Sequence, residues 1–318
     1  MKSRLHGRRR RSEDASALIL SLWALLLLSA AVFAWVKFID QDLTIASEAN
    51  AGLDAKALAH SGVAVAVHPR VTQATPLLQQ QFSPTRGYKA QITSEAGKLN
   101  LNWLLQGAAL NPPAPDSPAK LVLFKRFLES RGLTFQERET LVDCLLDWID
   151  SDNLPRLNGA EDSADYHPPN RGALVSVDEI AQVRGAKPLV SQPGWKDNLT
   201  IWSRPGTVDL QSAPVAVLAL LPNVENARAQ RFVQFRQGPD KLDGTADDHI
   251  FKDVAEAMQY LGFAGPTAQA LAPFVTVEPT PATVRIISTG QSGKVYRQVE
   301  AVAQRVPGQP NFLWWKEL

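Results

Sequence analysis

Hydrophobic positions along the chain follow three successive patterns, and the first is a long apolar run. Residues 17–36 carry no charge, and at about 1.5 Å per helical residue such a run can cross the hydrocarbon core of a bilayer. Apolar positions then continue at helical spacing, with no proline before Pro69. The pattern predicts one nearly continuous helix over residues 16–67, with its first half in lipid and its second half amphipathic against a folded domain.

The second pattern is strand-like alternation, which occurs in two separate places. Residues 72–87 predict an irregular lead-in, and residues 88–92 then alternate before a turn at Gly97. We expect Leu99 and Leu101 to form the second strand of this hairpin. Near the end of the chain three more segments alternate, which predicts three antiparallel strands with the last two joined as a hairpin. These segments are 273–279, 283–290 and 294–306.

The third pattern, helical spacing, fills the region between the two groups of strands, after a proline-rich connector at 111–118. Gly132 can close one helix in a left-handed cap. Thr134 and Glu137 have the spacing of a capping box, which predicts that a second helix starts there. Residues 209–237 resemble a helix-hairpin-helix unit, although the turn between the two helices contains no glycine.

Together the patterns predict an α+β fold. A long N-terminal helix packs on an antiparallel sheet, and an all-α domain, SAM-like or helix-hairpin-helix-like, is inserted in that sheet. The predicted division is a leader (1–15), the long helix (16–67), a first part of the sheet (68–110), the inserted helical domain (111–270) and a second part of the sheet (271–318).

The charge distribution predicts the orientation of the chain in a membrane and argues against nucleic acid as a partner. Basic residues crowd the start of the chain, whereas only Lys37 closely follows the apolar run, so the positive-inside rule predicts a cytoplasmic N-terminus and an exported remainder. The net charge is only +1, which gives no global electrostatic case for nucleic acid. With no glycine in the 209–237 turn, we expect no nucleic-acid partner.

Enzyme chemistry finds little support in the residues. Cys144 is the single cysteine and lies on an apolar helix face, so the chain can form no intrachain disulfide, and a buried inert thiol is expected. The chain shows no Gly-x-Ser-x-Gly elbow, phosphate loop or histidine pair at metal-binding spacing. A hydrolase built on paired carboxylates would need a pocket that the acidic loops do not indicate. We therefore expect a protein that is not an enzyme.

Two acidic loops are candidate calcium sites. In the first, Asp150, Asp152 and Glu161 take positions one, three and twelve of a calcium loop, with Asp162 beside them. Pro155 stands where an EF-hand has glycine, so only a looser calcium loop is possible. In the second loop the acidic residues surround a glycine that lets the backbone wrap. They are Asp240, Asp243, Asp247 and Asp248. Solvated loops with aspartate as turn former remain the alternative for both.

Three stretches of the chain share features with one family. They are the N-terminal text SALILSLWALLLL (16–28), the text SEAGKLNLN (94–102), and a set of spaced residues. That set comprises Gly159, Ala160, Glu161, Tyr166, Pro168, Pro169 and Arg171. In these features the chain resembles the K-type minor pseudopilins of bacterial type II secretion systems, which are type IV pilin-like proteins.

The resemblance implies processing and a place in a filament. Prepilin peptidase would cut between Ala15 and Ser16, where the family usually has Gly before the cut, and Ser16 would then be methylated. Most pilins carry Glu at the fifth mature position, and Leu20 in its place is similar to the pattern of subunits at the filament tip. The implied role is a structural subunit that initiates and caps the pseudopilus for protein export across the outer membrane.

The resemblance also implies partners and a cofactor. The partners are the I- and J-type minor pseudopilins, the major pseudopilin and prepilin peptidase, with the protein held in the bacterial inner membrane and its domains in the periplasm. Calcium would bind in the helical domain. The alternative interpretation is a membrane-anchored periplasmic calcium-dependent binding protein that joins no filament.

Overall fold

The structure is a computed structural model that describes residues 6–203, 207–278, 282–306 and 308–318, with side chains described from residue 17 onward. Its first element is helix α1, His6–Ala66, whose 61 residues form one uninterrupted rod. At about 1.5 Å per residue the rod is roughly 90 Å long. The predicted continuous helix is confirmed, and it begins ten residues earlier than the pattern indicated because the polar leader is helical too.

The described residues form a five-stranded antiparallel sheet whose strand order is β1-β2-β7-β8-β9. The strands are β1 (Gln79–Ser83), β2 (Arg86–Ser94), β7 (Thr283–Ser292), β8 (Val295–Gln304) and β9 (Asn311–Glu317). The predicted hairpin of the last alternating segments is confirmed as β7 and β8, which turn at Gly293 with φ of 60°. This positive φ is the reason that glycine suits the turn.

The hairpin predicted around Gly97 is wrong. The hairpin partner of β2 is β1, which lies in the segment predicted as an irregular lead-in, and β7 lies on the other side of β2. Residues Leu99–Asn100 (β3) instead pair in parallel with Leu199–Thr200 (β4), and Leu101 begins helix α2, Leu101–Leu105. The cause is local, because the Asn100 side chain accepts a hydrogen bond from the Trp103 N–H and so caps a helix where a strand was expected.

The last group of strands also differs from the prediction. Segment 273–279 does not join the sheet, because its residues Val275–Thr276 (β6) pair in parallel with Val208–Asp209 (β5). Strand β9 replaces it at the opposite edge, beside β8. The β9 sequence, NFLWWKE, clusters its apolar residues, and this concealed the strand from a search for alternation.

Helix α1 packs on the sheet only through its second half. Described residues 17–50 are exposed, whereas Ala55, Ala59 and Val63 recur at four-residue spacing and are buried against β2, β7 and β8. The contact is close, since a Cβ added at Gly290 would lie 2.0 Å from the Ala55 carbonyl oxygen. Glycine in the middle of β7 therefore lets the helix backbone approach the strand.

Between β2 and β7 lies a mostly helical region, which we call the helical region (residues 95–282). Its remaining helices are α3 (Ser117–Ser130), α4 (Phe135–Ile149), α5 (Lys187–Val190), α6 (Val215–Leu218), α7 (Asn226–Arg236), α8 (Val254–Tyr260) and α9 (Gly265–Leu271). The predicted capping box of Thr134 and Glu137 starts α4, and Gly132, with φ of 78°, follows α3. Residues 99–108, predicted to belong with the sheet, pack in the core of the helical region.

The helical region is attached at the end of the sheet that lies farthest from the apolar run. Near the start of the contact, Asp54 pairs with Arg86, which begins β2. At the other end of α1, the Ala66 carbonyl accepts a hydrogen bond from Arg305, which follows β8. Because β2 ends and β7 begins at this second end, both connections to the helical region lie there.

Candidate metal centre

Helix α4 and the loop after it bring three carboxylates together. Asp147 lies on the last turn of α4, and Asp150, three residues later, directly follows the helix as its C-cap residue. The loop then returns Glu161 to this end of the helix, so that one carboxylate oxygen from each residue lies within 4.8 Å of the other two. We call Asp147, Asp150 and Glu161 the acidic cluster.

Arg156 partly neutralises the acidic cluster. Its Nη1 lies 2.5 Å from Asp147 Oδ1 and also contacts Asp150 Oδ2, while its backbone N–H donates to Asp147 Oδ2 at 3.2 Å. Both aspartates are buried, whereas the Arg156 side chain is 26% exposed. One guanidinium therefore balances two buried charges from the solvent side.

The third carboxylate has no such partner. Both carboxylate oxygens of Glu161 are buried without a hydrogen bond, and so is Asp150 Oδ1. Burial, with repulsion from Asp147 and Asp150, raises the pKa of Glu161 to about 7. Burial likewise raises the pKa of Asp150, although Arg156 opposes the rise. Unsatisfied buried carboxylate oxygens are costly unless a cation or a donor meets them.

The donor set suits a hard divalent cation. Calcium takes six to eight oxygen ligands and magnesium six, and carboxylates are the preferred protein ligands of both. Three carboxylates converge here, and Asp150 and Glu161 keep unpaired oxygens, which fits this chemistry. Water or backbone carbonyls would complete the shell. Asp147, Asp150 and Glu161 are the residues that could hold such an ion.

The structure brings together only part of the first predicted site. Asp150 and Glu161 meet, but Asp152 and Asp162 lie outside the acidic cluster. Asp152 Oδ1 accepts from the Leu154 N–H within its own turn, and Asp162 pairs with His167 at 2.6 Å. Sequence reasoning left Asp147 out of the site, although its position three residues before Asp150 on an amphipathic helix was a usable signal.

The spaced residues that carry the resemblance to K-type pseudopilins lie in and near the loop after α4, and Glu161 among them belongs to the acidic cluster. A Cβ at Gly159 would lie 1.8 Å from Asp147 Oδ2, so only glycine leaves room for that carboxylate. Tyr166 packs on Trp148 of α4, with ring centroids 5.7 Å apart. Arg171 pairs with Glu179 at 3.0 Å. Two residues of the motif, Gly159 and Glu161, therefore shape the candidate site directly, whereas Tyr166 and Arg171 pack on neighbouring residues.

The second predicted calcium loop is held mainly by internal hydrogen bonds. Asp243 pairs with the buried Arg236 at 2.9 Å, and Asp248 accepts from the Gly244 N–H at 2.6 Å. Asp247 accepts from Thr245 and from the Asp240 N–H, and these bonds lower its pKa. Among the residues that the structure describes, this loop does not form a second group of three converging carboxylates. A calcium ion here stays a prediction.

The structure also places the predicted cleavage junction and the single cysteine. Ala15 and Ser16 lie inside α1, where the backbone is helical and their side chains fall outside the described part. Cys144 is a buried free thiol, and burial raises its pKa to about 11. A thiol with so high a pKa stays protonated and unreactive at neutral pH.

Glu161 gives the site a testable pH dependence. The folded pKa of Glu161, about 7, lies above the ordinary value of 4.5, so folding favours the protonated carboxyl group. The stability that depends on this protonated state is fully present below pH 4.5 and is lost as the pH rises through 7. At pH 8 in the presence of a chelator, we expect the free energy of unfolding of Glu161→Gln to exceed that of wild type by about 1 kcal/mol. This value allows for the partial exposure of Glu161. Urea denaturation at pH 5 and pH 8 measures this difference.

The matched control is Asp162→Asn, which removes a charge at the next position but outside the acidic cluster. Its free energy of unfolding should stay close to wild type at pH 8. An unchanged or lower stability of Glu161→Gln at pH 8 would contradict the pKa assigned to Glu161.

Comparison with known proteins finds a similarity that covers the candidate site. A family model described as "Type II secretion system (T2SS), protein K" matches residues 97–192, which contain the whole acidic cluster. Residues 97–192 are therefore similar to protein K of type II secretion systems. The type II secretion system protein K of Pectobacterium carotovorum subsp. carotovorum is 31% identical over 96 residues, which are 30% of this chain and 29% of that protein.

A second relative extends the similarity beyond the residues that the family model matches. The protein K of Pseudomonas aeruginosa is 27% identical over 154 residues, 46% of this chain and 44% of that protein. The matched stretches thus span less than half the length of these curated relatives.

The fold is similar over a much longer stretch than the sequence. A chain from the crystal structure of the GspK-GspI-GspJ complex of the enterotoxigenic Escherichia coli type 2 secretion system superposes with a TM-score of 0.59. The match covers 88% of this chain and 98% of that chain, at 16% identity. This likeness confirms the predicted α+β fold, a pilin-like helix and sheet with an inserted helical domain.

Proposed function

We propose that the protein is a minor pseudopilin of the K type, a structural and non-enzymatic subunit at the tip of the type II secretion pseudopilus. The observation that carries the proposal is the position of the helical region, which is attached at the end of the sheet opposite the apolar run. The stretch similar to protein K, 97–192, lies within that region.

The geometry suggests how such a subunit would initiate and cap a filament. Within the described part, α1 contains a stretch long and apolar enough to cross a membrane, and its exposed residues can exchange lipid for the helices of neighbouring subunits. The bulky helical region at the far end would block addition above it and permit addition only below. Leu20 in place of the usual Glu agrees with a subunit that has no neighbour above.

Several partners and one processing step belong to this proposal. The protein would lie in the inner membrane with a cytoplasmic N-terminus and periplasmic domains, and prepilin peptidase would cut between Ala15 and Ser16. The I- and J-type minor pseudopilins and the major pseudopilin are the proposed partners. Support for the first two comes from the similar fold in the GspK-GspI-GspJ complex.

Calcium is the proposed cofactor of the acidic cluster. The support is its unpaired buried oxygens, which a cation in the periplasm would satisfy. Such an ion would tie the end of α4 to the loop after it and so stiffen this part of the helical region. The second acidic loop is a weaker candidate for the same ion.

Mass spectrometry of the mature N-terminus is the direct test of the filament proposal. The protein purified from cells with an active prepilin peptidase should begin at Ser16 and carry one N-methyl group, whereas peptidase-deficient cells should yield uncut Met1. It should also co-purify with the I- and J-type pseudopilins. An uncut chain that binds calcium but no pseudopilin would instead support the membrane-anchored calcium-dependent binding protein.

A further inference from the structure

Arg156 holds oxygens of the acidic cluster that a divalent cation would also use. A single atom, Nη1, contacts both Asp147 Oδ1 and Asp150 Oδ2, and Glu161 lies beside this pair with no partner of its own. A guanidinium and a metal ion cannot share the same two carboxylate oxygens at bonding distance. Arg156 also holds the other Asp147 oxygen, because its backbone N–H donates to Asp147 Oδ2. A cation that coordinates all three carboxylates needs an Asp147 oxygen and must therefore displace Arg156 from Asp147.

The charges at the site favour such an exchange, because Arg156 alone does not balance the charge of the acidic cluster. Arg156 supplies one positive charge to three converging carboxylates, whereas a divalent ion supplies two. Asp147 has no exposed surface and Asp150 is 5% exposed, so the excess negative charge cannot be relieved by water. The Arg156 side chain is 26% exposed and so can move outward into solvent.

We propose that Arg156 is a built-in competitor that sets the cation concentration at which the acidic cluster is filled. This inference rests on the calcium part of the proposed function and adds a residue that tunes it. Calcium binding exchanges the Arg156 guanidinium for the metal ion at Asp147 and Asp150, and the ion also takes up the unpaired carboxylate of Glu161. The Arg156 side chain is thereby released from its ion pairs when the site fills, while Glu161 becomes tied to the end of α4 through the ion.

Removing the competitor should tighten calcium binding. The test is isothermal titration calorimetry, with calcium chloride added to the full chain in detergent. Arg156→Gln should bind calcium at least about tenfold more tightly than wild type, because one competing unit charge is gone. Arg156→Lys keeps the charge and should stay close to wild type. Arg138→Gln is the matched control, since Arg138 pairs with Glu129 in the same region, outside the acidic cluster, and it should leave the affinity unchanged.

A measurement on the wild-type protein keeps the test valid if Arg156→Gln does not fold. Calcium should increase the rate at which phenylglyoxal modifies Arg156, read by peptide mass spectrometry, and should not change the rate at Arg138. Slower modification of Arg156 in calcium would overturn the inference.

The outcomes separate this inference from the proposed function. Calcium affinity that is equal or weaker in Arg156→Gln than in wild type overturns the competitor role and leaves the calcium site standing. No binding in either protein overturns both the competitor role and the calcium proposal, while the N-terminal processing test still decides the pseudopilin role.

Discussion

Replacing Glu95 with alanine is expected to lower the free energy of unfolding by about 3–5 kcal/mol, because two cations then lose their shared buried partner. Glu95 has no exposed surface. Its Oε1 accepts from Lys98 Nζ at 2.7 Å and from Arg285 Nε at 2.8 Å, and its Oε2 accepts from the Thr200 hydroxyl. Three separate segments of the chain therefore converge on one carboxylate.

The position of Glu95 explains why the loss would be large. Glu95 directly follows β2, and its N–H donates to the carbonyl of Thr283, the first residue of β7, at 3.1 Å. Arg285 also donates to Glu300 of β8 at 2.5 Å and lies over the Trp314 ring of β9. The network therefore joins the sheet to the helical region at the two chain connections, and its loss would loosen both.

The same network predicts the direction of a pH effect. Burial opposes ionisation of Glu95, but Lys98 and Arg285 outweigh it, and the net effect is a lowered pKa. For a lowered pKa the stabilisation is present above the unfolded value of about 4.5 and is lost as the pH falls through the folded value. The cost of Glu95→Ala should therefore be largest near neutral pH and should shrink in acid.

Urea denaturation followed by tryptophan fluorescence at pH 7 and pH 3 measures both effects. The matched control is Glu129→Ala, which removes a 64% exposed glutamate from a surface pair with Arg138 and should cost less than about 1 kcal/mol. Glu95→Gln distinguishes charge from shape, since it keeps the volume but leaves both cations unpaired. A cost below 1 kcal/mol for Glu95→Ala would show that the network does not hold the junction together.

Local signals in the sequence predicted those parts of the fold that local interactions decide. The continuous apolar and amphipathic spacing predicted α1, and the capping box of Thr134 and Glu137 predicted the start of α4. Strand partners are decided by contacts between distant residues, so the pairing of β1 with β2 and of β5 with β6 had no local signature. Glu95 likewise looks like an ordinary surface charge in the text SEAGK, because its partners Thr200 and Arg285 lie more than a hundred residues away.

The candidate site shows the same division between local and distant information. The spacing of Asp150 and Glu161 predicted that these two carboxylates lie close together, because the end of α4 and the returning loop are close in the sequence. The EF-hand spacing misplaced Asp152, since a chain that passes through Pro155 cannot wrap as that loop does and turns Asp152 toward Leu154 instead. Nothing in the sequence marked Arg156 as the counter-ion, because its role depends on how the loop folds back over α4.

From the proposed pseudopilin role, Ala49→Pro is expected to reduce secretion by at least about tenfold while leaving the folded part intact. Ala49 lies in α1 after the apolar run, is exposed, and precedes the first helix residue that is buried on the sheet, Gly52. Proline at this position removes the hydrogen bond that its N–H donates to Ile45, costs the helix about 3 kcal/mol, and kinks it by more than about 20°. Neither residues 17–36 nor the sheet would be disturbed, so membrane insertion and thermal unfolding of the folded part should stay at wild-type levels.

A broken rod can still anchor the protein, but it cannot align the helical region with the axis of an assembly. We therefore expect Ala49→Pro to reduce co-purification with the I- and J-type pseudopilins, and export of a type II reporter, by at least about tenfold, since a kinked helix no longer packs along its neighbours. Ala49→Leu, which keeps the helix and adds bulk, is the control and should behave as wild type. Wild-type secretion by Ala49→Pro would mean that α1 serves only as a tether, and the filament proposal would fail with it.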